Sequence, residues 1–299
     1  MRIDPTYTNS LVASLNSLSA SQQKISQEMS TGLRLTSLGD DPLAAGQNET
    51  LTSAISQMDS FVKTVSNVSN RMQAADTALS STVTALDNAL SLATAGANST
   101  LTSTQLKSLA ESLTSIRDSV LSLANSSYQG NFLFAGTAIS SQPFTLDDST
   151  TPATVTYSGD DATQTVTSTT GQQLATSVPG SQLFGTGTAN DVFAALNTLI
   201  ADYQTGVAPT SATADLATLH DSLTNLSQQR SILDSSMSRL SAAGTYATNQ
   251  ETNLQVAQST LISSNTASLA TQLSAVTTQQ SALRSTIAIV EKGSLFDYL

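Results

Sequence analysis

The sequence predicts a mainly α protein. It reads as an elongated antiparallel helical bundle or coiled coil formed by both chain ends, with a β-rich central inset. Three observations predict this. Leu11, Leu15, Leu18, Gln22, Ile25 and Met29 near one end are spaced alternately by three and four residues. So are Leu269, Leu273, Val276, Gln280, Leu283, Ile287 and Val290 near the other end, and this spacing is a heptad seam. Between the ends, near Tyr128, the helical period gives way to short β-branched and aromatic runs separated by Gly, Pro and Asp.

Both terminal seams lack charge. Lys24 and Glu28 are the charged residues between Leu11 and Leu33, and Arg284 is the one between Leu254 and Val290. A solitary surface helix carries charge on its outer face, whereas these carry Ser, Thr, Gln and Ala. Such helices are marginal alone and need packing on more than one side. The two ends are therefore expected to meet, and neighbouring subunits are expected to supply further packing. Leu11, Leu15, Leu18, Ile25, Met29, Leu269, Leu273, Val276, Leu283, Ile287 and Val290 are the candidate assembly interface.

In chain order, Gly32 is expected to end the first helix. Asp40, Asp41 and Pro42 open the next: Asp41 suits the N-cap, Pro42 the first helical position, and both acids favour a helix N-terminus. The second helix keeps heptad spacing from Leu51 through Leu90, with Ser69 and Asp76 as polar exceptions, and breaks at Gly96-Ala97-Asn98-Ser99. Thr102 with Gln105 predicts a capping box for a third helix, whose stripe is Leu106, Leu109, Leu113, Ile116, Val120 and Leu123. Strands are expected at 131–136, 143–146, 154–157 and 164–167, with strands and turns continuing to about residue 187. Helix returns at Asn190 or Asp191 and ends at Gly206 and Pro209. A long helix begins near Asp215, and its phase slips at Ser263-Ser264-Asn265 before the terminal seam. Gly293 is expected to stop that last helix, leaving an apolar tail with Leu295, Phe296, Tyr298 and Leu299. The expected division is a terminal assembly helix at 1–36, an outgoing bundle half at 37–130, an outer inset at 131–190, a returning half at 191–261 and a second assembly helix at 262–299.

The totals agree with a narrow core. Of 299 residues, 11% are charged and 4% aromatic, with no Trp, and roughly three in ten are Ser or Thr. A net charge of -11 argues against nucleic acid and anionic membranes, which select basic surfaces. With no Cys there is neither a disulfide nor a thiolate metal site. The start carries no apolar segment of signal-peptide type, and no run of about 18 apolar residues is present to span a membrane. His220, the single histidine, lies beside an apolar stripe without a second His or a Cys. The acidic pairs Asp40-Asp41, Asp147-Asp148 and Asp160-Asp161 fit caps and turns rather than a calcium loop. No phosphate-cradling glycine loop or nucleophile elbow is seen, so no catalytic residue, metal or cofactor is expected.

Several of these stretches together resemble the bacterial flagellin superfamily. The N-terminal ones are Ser30-Thr31-Gly32-Leu33-Arg34 and Asp40-Asp41-Pro42-Leu43-Ala44-Ala45. In the middle, Asn131-Phe132-Leu133-Phe134-Ala135-Gly136-Thr137, Pro143-Phe144, Tyr157-Ser158-Gly159-Asp160 and Leu183-Phe184 occur in the order seen in its hook–filament junction branch. The start Met1-Arg2-Ile3 and the end Ser294-Leu295-Phe296-Asp297-Tyr298-Leu299 are similar to that branch too. Family members often carry an acidic pair before the final seam, where this chain has Ser263-Ser264-Asn265-Thr266. The resemblance implies a structural protein, exported unfolded through the flagellar export apparatus without a cleaved signal peptide. It would assemble extracellularly as the adaptor between hook and filament. Implied partners are copies of itself in a ring, a neighbouring hook-associated protein, flagellin and an export chaperone. The C-terminal tail residues Leu295, Phe296, Tyr298 and Leu299 would face such a partner. The alternatives are the filament subunit itself or a non-flagellar coiled-coil surface protein.

Overall fold

The structure is a computed structural model that describes residues 5–37, 39–97, 101–206 and 212–296. It is mainly α, as the periodicity predicts. The helices are α1 (Pro5–Thr31), α2 (Pro42–Gly96), α3 (Ser103–Ala124), α4 (Gly180–Phe184), α5 (Val192–Gln204), α6 (Ala212–Ile262) and α7 (Thr266–Phe296). Between α3 and α4 lie β1 (Ser127–Tyr128), β2 (Asn131–Phe132), β3 (Phe144–Asp147), β4 (Thr154–Tyr157), β5 (Thr165–Thr167) and β6 (Gln173–Ala175). They pair as three antiparallel hairpins, with Tyr128 opposite Asn131, Phe144 opposite Tyr157 and Val166 opposite Leu174. The chain forms two compact units: residues 1–57 with 250–299, and residues 58–249. Among the described residues no helix is long and apolar enough to cross a membrane.

The caps follow their sequence signals. Asp41 accepts the Ala44 amide at 3.1 Å, so Pro42 is the first helical residue of α2. Thr102 and Gln105 form the reciprocal box at the start of α3. Asp191 caps α5 through Phe193 and Ala194. At the phase slip, Asn265 accepts the Ser268 amide at 3.1 Å and starts α7.

The larger unit is built on a seam rotated by about one residue from the predicted one. In α2, Met72, Leu79 and Leu86 are buried as expected, but they alternate with Ala75, Thr82 and Ala89 rather than with Asp76, Val83 and Leu90. In α3 the buried set is Leu106, Ala110, Leu113, Arg117, Val120 and Ala124. Small side chains occupy the positions nearest the neighbouring helix because they let backbones approach, and the larger ones flank them. Gly244 shows how close the approach is: a Cβ there would lie 2.8 Å from Val65. Asp76, polar in the predicted seam, is bound by Arg230 of α6 at 2.6 Å.

The inset joins the helical core through aromatic side chains. Phe144, Phe184 and Phe193 pack with ring centroids 5.1 to 5.5 Å apart, and Phe134 meets Phe184 edge-on. The strand expected at 131–136 is shorter, Asn131–Phe132. Gln129 and Gly130, both at positive φ, turn β1 into β2 as a two-residue hairpin. Leu133, Phe134 and Ala135 then leave the ladder to fill the core. Helix α4 and strand β6 carry too few residues for a periodic signal. Buried Arg117 is held by Asp118, Asp148 and Asn197, which ties the β3–β4 turn to α3 and α5.

The abundant helical hydroxyls have a common fate. Thr64, Thr77, Ser81, Thr84, Thr94, Thr218, Ser281 and Ser285, among others, each donate to the carbonyl four residues earlier. Exposed Ser and Thr thereby satisfy themselves along the helix instead of competing with it.

Candidate assembly interface

In the smaller unit α1 and α7 pack side by side and run antiparallel. Ser19 lies level with Gln280, Glu28 with Ser264, and Leu33 bridges Ser263 in antiparallel fashion. Ile25 and Leu269 are buried in this pair. Leu11, Leu15, Leu18, Leu273, Val276, Leu283 and Ile287 are half-buried along it. Met29 departs from the predicted seam: it is 37% exposed. The ideal 3.6-residue period drifts against a strict heptad, so Glu28 and Gly32 turn inward in its place. The side chain of Val290 lies outside the described residues.

The segment after α1 closes the unit like a clasp. Gly32, at φ +70°, takes the left-handed conformation that ends α1, and its amide reaches the Glu28 carbonyl at 2.9 Å. The chain then crosses the end of α6. The Arg34 amide donates to the Ile262 carbonyl at 2.7 Å, and the Ser264 amide donates to the Gly32 carbonyl at 2.9 Å. The Arg34 guanidinium donates to the Leu261 carbonyl at 3.1 Å and pairs with Asp41 at 3.2 Å. A cation is favoured there, because the last carbonyls of α6 concentrate the negative end of the helix dipole.

The two acids have separate tasks. Asp40 accepts the Thr36 and Ser37 amides at 3.1 and 2.8 Å and pairs with Lys24 at 3.0 Å. Those bonds, that from Lys24 first, hold its carboxyl far below the usual range and raise the Lys24 pKa in turn. Asp41 is lowered by the Ala44 amide first and Arg34 second. All these groups are solvent-accessible, so the arrangement positions helices without storing a buried charge.

Some features escape sequence reasoning. Arg34 carries no periodic signal, and its partner is 227 residues away. Ser264, in the phase-slip stretch, donates to the Glu28 carbonyl at 3.2 Å. Asn265 was findable as an N-cap residue ahead of an apolar run. At the C-terminus α7 continues through Gly293 to Phe296, so the expected stop is not there; a single helical glycine costs about 1 kcal/mol and does not by itself end a helix. Leu295 and Phe296 belong to α7, and Tyr298 and Leu299 lie outside the described residues. His220 is exposed on α6, and Asp147 and Asp160 cap local turns through Ser149, Thr137 and Ala162.

Comparison with known proteins bears on the clasp directly. Residues 6–138, which contain α1, the clasp loop, α2 and α3, match the family model of the bacterial flagellin N-terminal helical region. The chain is 33% identical to flagellar hook-associated protein 3 of Salmonella typhimurium over 126 residues, 42% of this chain and 40% of that protein. Two solved structures from Legionella pneumophila share the fold. Flagellar hook associated protein-3 aligns with a TM-score of 0.64 at 13% identity, over 71% of this chain and 98% of that one. The flagellar junction protein aligns with a TM-score of 0.59 at 14% identity, over 73% and 100%. That matched stretch thus sits in a fold shared with the two solved structures. Its Gly32, Arg34, Asp40 and Asp41 make the clasp described above.

Proposed function

We propose that the chain is a structural subunit of the bacterial flagellum, an adaptor at the hook–filament junction that assembles through its paired terminal helices. The supporting observation is the α1–α7 pair closed by the Arg34 clasp, within a chain that is similar over 126 residues to hook-associated protein 3. The matched stretch spans about two fifths of that relative's length. In this role the chain is exported and works outside the cell. Its partners are copies of itself in a ring, a neighbouring hook-associated protein and flagellin, with an export chaperone and the export apparatus acting before assembly. The seam residues hold α1 and α7 together, and the outward faces of the pair meet neighbouring subunits. The C-terminal tail residues Leu295, Phe296, Tyr298 and Leu299 extend that contact. The role is mechanical and calls for no cofactor or catalytic group.

The test is a deletion of the gene in its own host. The reading expects cells with hooks and without filaments that release unpolymerised flagellin, and restoration of filaments by the intact chain. A deletion strain with no flagellin to release would assign the chain to the filament itself.

A further inference from the structure

The α1–α7 seam contains one polar side chain that is as buried as its apolar neighbours. Gln280 is 7% exposed, beside Leu269 at 6% and Ile25 at 8%. Its amide donates to the Ser19 hydroxyl of α1 in a long hydrogen bond of 3.4 Å. Gln22, the polar member of the α1 seam, is half-buried one turn away. A leucine at 280 would bury more apolar surface and need no partner, so the amide works against the simple stability of the pair.

We propose that Gln280, through Ser19, holds the register of the terminal helix pair against the slip that would carry it to the level of Val12. Both helices repeat every seven residues, so sliding one past the other by seven sets Leu, Ile and Val against Leu, Ile and Val again. Apolar contact barely distinguishes the true alignment from such slips. The amide does distinguish one of them. In the native alignment Gln280 meets a hydroxyl. Slipped a heptad one way, it meets the level of Val12, between Leu11 and Leu15, and its donors are buried without an acceptor; slipped the other way it meets Ser26, a second hydroxyl a heptad from Ser19, and that slip is opposed by the clasp. An unmet buried amide disfavours a slipped state by about tenfold or more, and a single polar residue in a coiled-coil seam specifies alignment in this way at a cost in stability. The clasp at Arg34 fixes one end of the pair, and Gln280 lies well beyond it along α7.

The absence of Cys makes the register directly readable. In the purified full-length chain, Leu15→Cys with Leu283→Cys reports the native alignment, one turn from the Ser19–Gln280 level. Leu15→Cys with Val276→Cys and Leu18→Cys with Ile287→Cys report slips of about one heptad in opposite directions. Under mild oxidation with Gln280 present, the native pair should crosslink about tenfold more than Leu15→Cys with Val276→Cys, the slip toward Val12. With Gln280→Leu that preference should fall below about threefold while helix content holds or rises, and Gln280→Asn should restore most of it. An unchanged preference in Gln280→Leu would assign the register to the clasp and overturn the proposal. So would a failure of the native pair to crosslink when Gln280 is present. None of these outcomes depends on the flagellar role.

Discussion

Arg34 and Leu261, 227 residues apart in the chain, are joined by a 3.1 Å hydrogen bond from guanidinium to carbonyl. The same guanidinium pairs with Asp41 at the start of α2. One side chain therefore links the exit of α1, the entry to α2 and the end of α6. Removing it should loosen the smaller unit alone. Arg34→Ala is expected to cost about 1 kcal/mol, the size of one exposed charge-assisted bond and a weak ion pair. Hydrogen exchange should quicken in residues 20–37 and 258–275 while residues 58–249 keep their protection. Arg34→Lys should recover part of the loss, since a point charge replaces the fork but not its two-sided geometry.

Why this contact was not legible, while the helices were, follows from what periodicity can report. A heptad of large apolar residues marks the existence and length of α1, α2, α6 and α7. It does not mark every buried position, because Ala75, Thr82 and Ala89 count as neutral in the pattern yet are buried as the large side chains are. It is silent on Arg117, a charge in a buried row whose partners Asp148 and Asn197 come from elsewhere in the chain. Caps were legible because their partners are three residues away: Asp41 and Thr102 both act as expected. Within the candidate interface, the positions along the seam follow from sequence. The clasp and the Ser19–Gln280 contact require knowing which distant segments meet.

The clasp should respond to acid. The Asp40 pKa is depressed in the folded chain by Lys24 and by the amides of Ser37 and Thr36. A depressed carboxyl contributes stability that is fully present above the unfolded value, near 3.9, and is lost as pH falls from there through the folded value. Asp41 acts in the same direction. Lys24, whose pKa is raised, loses its contribution only on the alkaline side, above about 10.4. The clasp should therefore be constant between about pH 5 and 10 and loosen below about pH 4. Amide exchange at Ser37, corrected for intrinsic rate, checks this, and Asp40→Asn should remove the greater part of the acid response.

Packing in the larger unit makes a sharper demand at Gly96. Its α-carbon faces the ring of Tyr203, where a Cβ would lie 2.6 Å from the ring carbon. The Tyr203 hydroxyl is meanwhile fixed on the Ala93 carbonyl at 2.7 Å, and burial pushes its pKa up to about 12. The ring cannot swing away without breaking that bond. Gly96→Ala, which in an open helix would stabilise, is expected to destabilise by about 1 to 3 kcal/mol through overpacking. A urea titration followed by tyrosine fluorescence would measure it. Pairing Gly96→Ala with Tyr203→Phe should recover part of the loss, since the freed ring can shift.

The two faces of α7 can be separated by a pair of substitutions of equal chemistry. Leu283 is half-buried against α1, whereas Ile289 is 71% exposed. Leu283→Asp places a carboxylate in the apolar seam and should weaken the α1–α7 pair by about 2 kcal/mol or more, visible in the isolated chain as faster exchange along both helices. Ile289→Asp touches nothing the isolated chain buries, so its stability should change by less than about 0.5 kcal/mol. In cells the two should converge. Leu283→Asp removes the pair on which assembly is built, and Ile289→Asp charges the outward face that the proposed function sets against a neighbouring subunit. Loss of filaments from Ile289→Asp, in a chain that is exported and folds normally, would mark that face as intermolecular. Normal filaments from Ile289→Asp would confine assembly to other surfaces, and normal filaments from Leu283→Asp would show that the α1–α7 pair is dispensable for it.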